Sequence, residues 1–133
     1  MTAQRVTTDI DASDPRQRDL EPLFAAIDAK DAKAFAAFLT EKAKFRFGSA
    51  PAAEGRATIE AAVSDFFASL AGLSHVVNAV VTKDDMLFCE GETTYTRHDG
   101  RQVTVPFADV FVYEGEKIAD YRIYADLGPL FEE

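Results

Sequence analysis

The stretch "TYTRHDGRQVTV", from Thr94 to Val105, decides the fold of this chain. Its β-branched and aromatic residues flank the pair Asp99-Gly100, which is typical of a tight hairpin turn. A link this short cannot carry a parallel crossover. The stretch therefore predicts two antiparallel strands joined by a hairpin.

The same pattern extends over the second half of the chain, where the short links "KDD", "HDG" and "EGE" separate β-rich runs. These runs cover residues 75–82, 86–97, 101–114 and 117–126. They predict an antiparallel meander. Before them, "KFRFG" alternates as a short strand does.

The first half has helical periodicity instead. One helix is expected near Asp19, with Asp14 or Asp19 as its cap, and Asp31 is expected to cap a second helix, "AKAFAAFLT". A third is expected over residues 56–71. Helices followed by strands predict an α+β domain, in which three N-terminal helices pack on a strongly curved, mixed or antiparallel sheet and leave a cone-shaped cavity.

Length and composition favour one domain, because the chain has 133 residues and 47% of them are apolar. We expect this domain over residues 15–133, after a flexible polar segment of residues 1–14. Its 11 Phe and four Tyr suit a pocket for a flat apolar ligand, and equally an ordinary core.

The charge balance disfavours nucleic acid and anionic membranes as partners, because 23 acidic residues outnumber 14 basic ones. No run approaches the roughly 20 apolar residues that a membrane span needs, and no secretory signal is visible. We therefore expect a cytoplasmic protein. One cysteine, Cys89, and two scattered histidines give no ligand-spaced cluster, so we expect neither a metal nor another cofactor.

Three segments in order carry a resemblance: "FAAIDAKDAKAFAAFL" (24–39), "FGSAPAAEGRATI" (47–59) and "GEKIADYRIYADLGPLF" (115–131). Together they resemble the nuclear transport factor 2-like superfamily, and within it the SnoaL-like and ketosteroid-isomerase-like proteins. This resemblance implies a cystatin-like α+β barrel and a homodimer formed through the outer sheet face. Because the superfamily includes several enzyme classes and non-enzymatic transport proteins, activity must be argued from the site.

Two chemistries of the superfamily lack their residues here. The ketosteroid isomerase pattern needs an Asp base where this chain has Phe45-Arg46-Phe47, and a Tyr where it has Leu23. Only its strand carboxyl survives, as Asp109. The limonene epoxide hydrolase pattern also fails, because no arginine bridges two carboxylates at the matching positions.

A third pattern, that of scytalone dehydratase, uses a His base after the third helix and an Asp at the end of the first. The chain supplies Asp28 in "IDAKD" and His75 in "LSHVV" at the matching places. A carboxylate on one ring nitrogen fixes the tautomer and makes the other nitrogen a better base, provided the groups lie about 2.6–3.2 Å apart or one water apart. Alternatively, Asp28 caps a helix turn and His75 bonds to backbone at a strand end.

Strand alternation places Asp109 on one face with Phe107 and Phe111. Asp109 is then either a desolvated proton donor in the cavity or the partner of an Arg or Tyr on a neighbouring strand. Glu92 would pair with Asp109 if its face lined the cavity, although an outward-facing surface charge is favoured. The candidate ligand-binding residues are Tyr121, Phe107, Phe111, Phe24, Phe45, Phe66, Ile123 and Glu92.

The leading hypothesis is an enzyme of the isomerase, dehydratase or cyclase type that acts on a small apolar or aromatic molecule by proton transfer. His75 would be the base, Asp28 its orienting partner, and Asp109 or Tyr121 the group that stabilises developing oxyanion charge. The alternative is a non-catalytic ligand-binding or dimeric accessory domain that keeps the pocket and lacks a pre-formed His–Asp pair.

Overall fold

A computed structural model describes residues 5–132 of the chain. Residues 1–4 of the expected flexible segment and residue 133 of the expected domain lie outside this range. The described part has helices first and most of its strands afterwards, so the predicted α+β class is confirmed.

The strands form one mixed sheet of six, in the order β2-β1-β6-β5-β4-β3, across residues 5–132. The last four strands are successively antiparallel, as the short links predicted. The first strand lies parallel to the last and antiparallel to the second, and the sheet is open at β2 and β3. The strands are β1 (Leu39–Phe47), β2 (Ala53–Glu54), β3 (Gly72–Lys83), β4 (Met86–Thr96), β5 (Gln102–Glu114) and β6 (Lys117–Ala125).

The helices are α1 (Pro15–Arg18), α2 (Leu20–Asp28), α3 (Ala32–Ala36) and α4 (Arg56–Ala68), and a 3-10 turn follows at Gly128–Phe131. Two of the aspartates predicted as helix caps act as caps: the side chain of Asp14 accepts from the backbone N–H of Arg16, and that of Asp31 accepts from the backbone N–H of Ala34. No helix within the described range is long and apolar enough to cross a bilayer.

The second predicted helix corresponds to α3 and is shorter than predicted. It ends at Ala36, and Leu39 already begins β1, where it pairs with Ile118 of β6. Pairing with a strand from the far end of the chain overrides the local helical pattern, because sheet hydrogen bonds and burial outweigh the small differences in helix propensity.

The helices cover one face of the sheet. Leu20, Leu23 and Phe24 of α2 are completely or almost completely buried, as are Ile59 of α4 and Phe35 of α3. On β4, buried and outward-facing residues alternate along the strand. The apolar face of the sheet therefore meets the helices, and the cavity that holds the candidate site lies between these two layers.

The N-terminal strap, which we define as residues 5–7, packs against β3 although a flexible segment was expected there. Val6 is buried and forms a parallel bridge with Val77. The N–H of Val77 donates to the carbonyl of Arg5 at 2.8 Å, and the N–H of Thr7 donates back to the carbonyl of Val77 at 2.9 Å. An exposed strand edge offers unpaired backbone groups to any extended segment that reaches it, which accounts for this packing.

Candidate functional site

A cavity of about 340 Å³ lies between the helices and the inner face of the sheet. Its wall is mostly aromatic and aliphatic, and the polar groups that reach it are His75, Thr93 and Asp109 with the two tyrosines. This combination of apolar walls with a few polar groups is the usual form of a small-molecule site. The aromatic lining consists of Phe35, Phe45, Phe47, Phe66, Phe67, Tyr95, Phe107, Tyr121 and Phe131.

Seven of the residues assigned to the site from the sequence line this cavity. They come from four strands and one helix, so the fold gathers positions that are far apart in the chain. They are His75, Asp109, Tyr121, Phe107, Phe45, Phe66 and Ile123. Asp28 lies behind His75 and reaches the cavity only through it.

Besides Asp28, three assigned residues do not line the cavity. Phe24 is completely buried in α2, where its ring lies 5.0 Å from the His75 ring and supports it from behind. Phe111 is also buried, and its ring packs 4.3 Å from Tyr121. Glu92 is exposed on the outer face of β4, because strand alternation turns it away from its neighbour Thr93.

Asp28 and His75 form a direct hydrogen-bonded pair. The Asp28 Oδ1 atom lies 2.6 Å from His75 Nδ1, and its Oδ2 atom accepts the backbone N–H of His75 at 3.0 Å. The two side chains are only 5% and 10% exposed, respectively. An ionised Asp28 can only accept, so the proton of a neutral His75 then lies on Nδ1 and Nε2 is the free base.

The environment of Asp28 keeps it ionised. Burial by itself would raise the pKa of this carboxyl, but the hydrogen bonds from His75 and Arg5 outweigh it, so the pKa lies below its ordinary value. Arg5 Nε donates to Asp28 Oδ2 at 2.7 Å. The pKa of Arg5 is raised, mainly by this hydrogen bond.

Aromatic rings hold the imidazole in place. Phe107 meets the His75 ring edge to face at 5.4 Å, and Phe24 packs against it at a tilt. The ring is therefore confined by neighbours on β5 and α2 while it remains part of the cavity wall. A confined ring loses little conformational freedom when a ligand binds, which is the condition for a pre-organised base.

Asp109 is the second carboxyl of the site and its environment is the opposite of that of Asp28. It is 3% exposed, and its Oδ1 atom has no hydrogen-bond partner among the described residues. Its register neighbours are Cys89 and Ile123. The unpaired Oδ1 atom gives no support to the predicted alternative, an Arg or Tyr partner on a neighbouring strand. Burial raises the pKa of Asp109 well above its ordinary value, so a proton on this carboxyl is favoured.

Two tyrosines share the cavity with Asp109. Burial raises the pKa of Tyr95 to about 12, and burial together with Asp109 raises that of Tyr121 well above the ordinary value. Both phenols therefore stay protonated and can donate hydrogen bonds at neutral pH. The ring of Tyr121 is held by Phe45 at 5.3 Å and Phe35 at 5.5 Å.

Several residues of the site were missed from the sequence. Thr93 and Tyr95 follow from alternation on β4 once Glu92 faces outward, and Phe47 follows from alternation with Phe45. Arg5 had no sequence signal, because it lies in a polar segment without periodicity. His98, the other histidine, lies in the hairpin turn, where it is exposed and its Nε2 lies 2.9 Å from the carbonyl of Ala68.

No group of three or more His, Cys, Asp or Glu side chains within residues 5–132 has a geometry that could hold a metal ion. The arrangement itself offers an imidazole that is hydrogen-bonded to a carboxylate and, in the same apolar cavity wall, a carboxyl with a raised pKa.

Sequence comparison identifies the family to which this architecture corresponds. The SnoaL-like domain family matches residues 20–121, which include α2, all of β1 to β5 and the first part of β6. No curated protein sequence matches significantly.

Solved structures with the same fold cover most of the chain at low sequence identity. A protein described as a SnoaL-like polyketide cyclase, from Jannaschia sp. CCS1, is 19% identical, with 92% of this chain and 94% of that chain covered and a TM-score of 0.79. TerC, crystallised with polyporic acid, is 14% identical over 88% and 95%, with a TM-score of 0.77. A protein with a ketosteroid isomerase-like fold from Catenulispora acidiphila, in complex with trimethylamine, is 16% identical over 78% and 82%, with a TM-score of 0.73.

Proposed function

The chain belongs to the SnoaL-like domain family, and from that premise we propose that it binds a small, largely apolar molecule and acts on it by proton transfer. The reaction is of the isomerase, dehydratase or cyclase type and needs no cofactor. The observation that carries this proposal is the 2.6 Å contact between His75 Nδ1 and Asp28 Oδ1 behind a cavity that His75 itself lines. A ligand-binding or accessory domain has no need of such a buried pair.

His75 is the base in this proposal. With the proton of Nδ1 held by Asp28, Nε2 takes a proton from a carbon beside a carbonyl or beside a leaving group, and His75 becomes an imidazolium. The same ring then returns the proton to another carbon, as in an isomerisation, or to a departing oxygen, as in a dehydration. The negative charge of Asp28 stabilises the imidazolium while it exists.

Asp109 is the acid in this proposal. When a proton leaves the carbon beside a carbonyl, negative charge develops on the carbonyl oxygen, and a neutral carboxyl can donate a hydrogen bond to it. Ketosteroid isomerase is the known case of an aspartic acid that is kept neutral by an apolar site for this purpose. Tyr121, a second protonated donor in the wall, is the alternative stabilising group.

The ligand should carry no negative charge. The described cavity wall contains no lysine or arginine, so a carboxylate or phosphate would be desolvated there without a counter-charge. Two structural neighbours were crystallised with small molecules, polyporic acid in one and trimethylamine in the other. These neighbours support a small-molecule ligand for this chain.

We also infer a homodimer formed through the outer face of the sheet. Val81 and Phe88 are exposed there, and the register pairs Val81 with Phe88 and Phe88 with Val110, which forms a row across three strands. Such an apolar stripe is typical of a surface covered by a partner. Sedimentation should give a dimer for the wild type and a monomer for Phe88→Glu, and a monomeric wild type would contradict the inference.

The function is tested with a panel of enolisable aryl ketones and small dehydratable alcohols. Exchange of the protons beside each carbonyl with deuterated solvent, followed by NMR, detects proton abstraction without knowledge of the final product. His75→Ala should abolish the catalysed exchange, whereas His98→Ala, which removes the other histidine, should leave it unchanged. Equal rates in wild type and His75→Ala would reject His75 as the base.

A further inference from the structure

Asp28 has a third partner besides the ring and backbone of His75. Arg5 Nε donates to Asp28 Oδ2 at 2.7 Å, and the two residues are separated by 23 positions in the sequence. The Arg5 side chain is 26% exposed, whereas that of Asp28 is 5% exposed, so Arg5 covers Asp28 from the solvent side. The pair of side chains therefore belongs to a row of three, Arg5, Asp28 and His75.

The backbone of the strap holds Arg5 in this position. Its carbonyl accepts the N–H of Val77 at 2.8 Å, and Glu21 accepts the N–H of Val6 at 2.9 Å. The buried side chain of Val6 anchors the same segment. Because these contacts use main-chain atoms and a neighbouring side chain, the strap can stay in place when the Arg5 side chain is changed.

The strap and Asp28 both accept hydrogen bonds from the same edge of the sheet, at nearby positions on β3. β3 is an edge strand of the sheet. Its N–H at His75 donates to the carboxylate of Asp28, and its N–H two residues further, at Val77, donates to the carbonyl of Arg5. The same strand edge thus sets the position of the carboxylate and of the cation that faces it.

Arg5 places a positive charge beside a buried carboxylate. A carboxylate this deeply buried is unfavourable unless it is paired, and a neutral imidazole supplies hydrogen bonds without a full charge. The charged groups that face Asp28 are Arg5 from the strap and, further out, Glu21 from α2, which lies 3.4 Å from Arg5 Nη1. His75 contributes most to the lowered pKa of Asp28, and Arg5 adds a permanent positive charge 2.7 Å from its Oδ2 atom.

We propose that Arg5 is a positioning residue of the site, which keeps Asp28 ionised and aimed at Nδ1 of His75 so that Nε2 remains the free base. The catalytic part of this proposal rests on the proposed function, whereas the effect on the imidazole does not. The proposal makes the N-terminal strap, outside the matched family region of residues 20–121, a part of the active site.

The test is a ¹⁵N NMR titration of the His75 imidazole in the full-length protein, because nitrogen shifts distinguish an Nδ1-bound proton from an Nε2-bound one. The variants are Arg5→Gln, which removes the charge, Arg5→Lys, which keeps it, and Arg18→Gln as the matched control. Arg18 is an exposed arginine whose partner is Asp19, away from the cavity.

Wild type, Arg5→Lys and Arg18→Gln should retain the Nδ1-protonated form. Arg5→Gln should populate the Nε2-protonated form and should protonate Asp28 at a higher pH than the wild type does, with His75 and Glu21 as the remaining charged or titratable neighbours. The exchange rate of the ketone probe should fall by about tenfold to a hundredfold in Arg5→Gln, as when a catalytic group is displaced. Arg5→Lys should restore most of that rate.

An unchanged tautomer and an unchanged Asp28 titration in Arg5→Gln would overturn the proposal, even if His75→Ala abolishes activity. Conversely, a changed tautomer in a protein that exchanges no probe would support the role of Arg5 and reject the proposed function. If Arg5→Gln does not fold, the test is made on the wild type. The Arg5 Nε–H proton should then give an NMR signal that is protected from solvent exchange and that Asp28→Asn removes. Absence of this signal from the wild type would overturn the proposal.

Discussion

The carboxylate of Asp28 holds His75 at two points, through the ring nitrogen Nδ1 at 2.6 Å and through the backbone N–H at 3.0 Å. The second contact fixes where β3 passes α2, and the first fixes the orientation of the ring that β3 carries. A substitution at Asp28 therefore affects both the geometry and the protonation of the base.

Asp28→Asn should reduce catalysed proton exchange by about a hundredfold or more, within the range for loss of an oriented general base. An amide can donate to the unprotonated Nδ1, so it permits the wrong tautomer of His75. The measurement is the exchange rate of the ketone probe. Asp31→Asn, which alters an aspartate that caps α3, is the control: it should keep the cap, because asparagine caps helices about as well as aspartate, and it should leave the exchange rate unchanged. A wild-type rate in Asp28→Asn would contradict an orienting role.

Asp109→Asn should change how stability depends on pH. The pKa of Asp109 is raised in the folded protein, so above the unfolded-state pKa of roughly 4 the native state holds a proton that the unfolded state has released. The contribution of Asp109 to the free energy of unfolding is therefore greatest below the unfolded-state pKa. It falls by at most about 1.4 kcal/mol per pH unit as the pH rises toward the folded-state pKa. The asparagine variant should lack this slope.

Urea unfolding between about pH 5 and 9 measures the slope directly, with the range chosen on the basis of the raised pKa. Glu92→Gln is the control, since Glu92 is exposed on the neighbouring strand and its loss should leave the wild-type slope intact. Parallel stability curves for wild type and Asp109→Asn would mean that Asp109 is not held in its neutral form.

Much of the fold follows from local patterns in the sequence, and the parts that do not follow depend on long-range pairing. The hairpin around Asp99-Gly100 is recognisable in the sequence, because a tight turn between two alternating runs fixes how the two flanking strands pair. The parallel pairing of Leu39 with Ile118 has no local signal in the sequence, so the second predicted helix, α3, was predicted too long. The bulge between Val77 and Ala79 is likewise invisible in the sequence of β3 alone.

The residues of the candidate site were likewise predicted only in part. Asp28 and His75 are found because they match a family pattern, and Asp109 because alternation puts it beside Phe107. Phe24 was assigned to the cavity because helical periodicity identifies a buried face without distinguishing a cavity wall from the layer behind it. Arg5 was missed because its contact depends on the strap meeting the edge of β3, which no periodicity encodes.

Gly91→Ala should destabilise the protein by about 1–3 kcal/mol, the range typical of overpacking. A Cβ at this position would collide with the carbonyl oxygen of Val76, where β3 crosses close to β4. Chemical denaturation measures the loss. Gly72→Ala is the matched control, since a Cβ there has its closest neighbour at 4.0 Å and should be tolerated. Equal stability of the two variants would show that β3 can move away at little cost.

Neutral ligands should bind at least about tenfold more tightly than anions of the same shape, because a buried unpaired charge is unfavourable by more than about 1.4 kcal/mol. The matched probes are 2-acetylnaphthalene and 2-naphthoate, whose binding is measured by calorimetry. The carboxylate would face Asp109 in a wall without a described lysine or arginine, whereas the ketone oxygen can accept a hydrogen bond from the neutral acid. Phe66→Ala should weaken both probes by a similar factor, since it removes an apolar contact that they share. Tighter binding of 2-naphthoate would contradict the exclusion of anionic ligands and require a cation at the cavity.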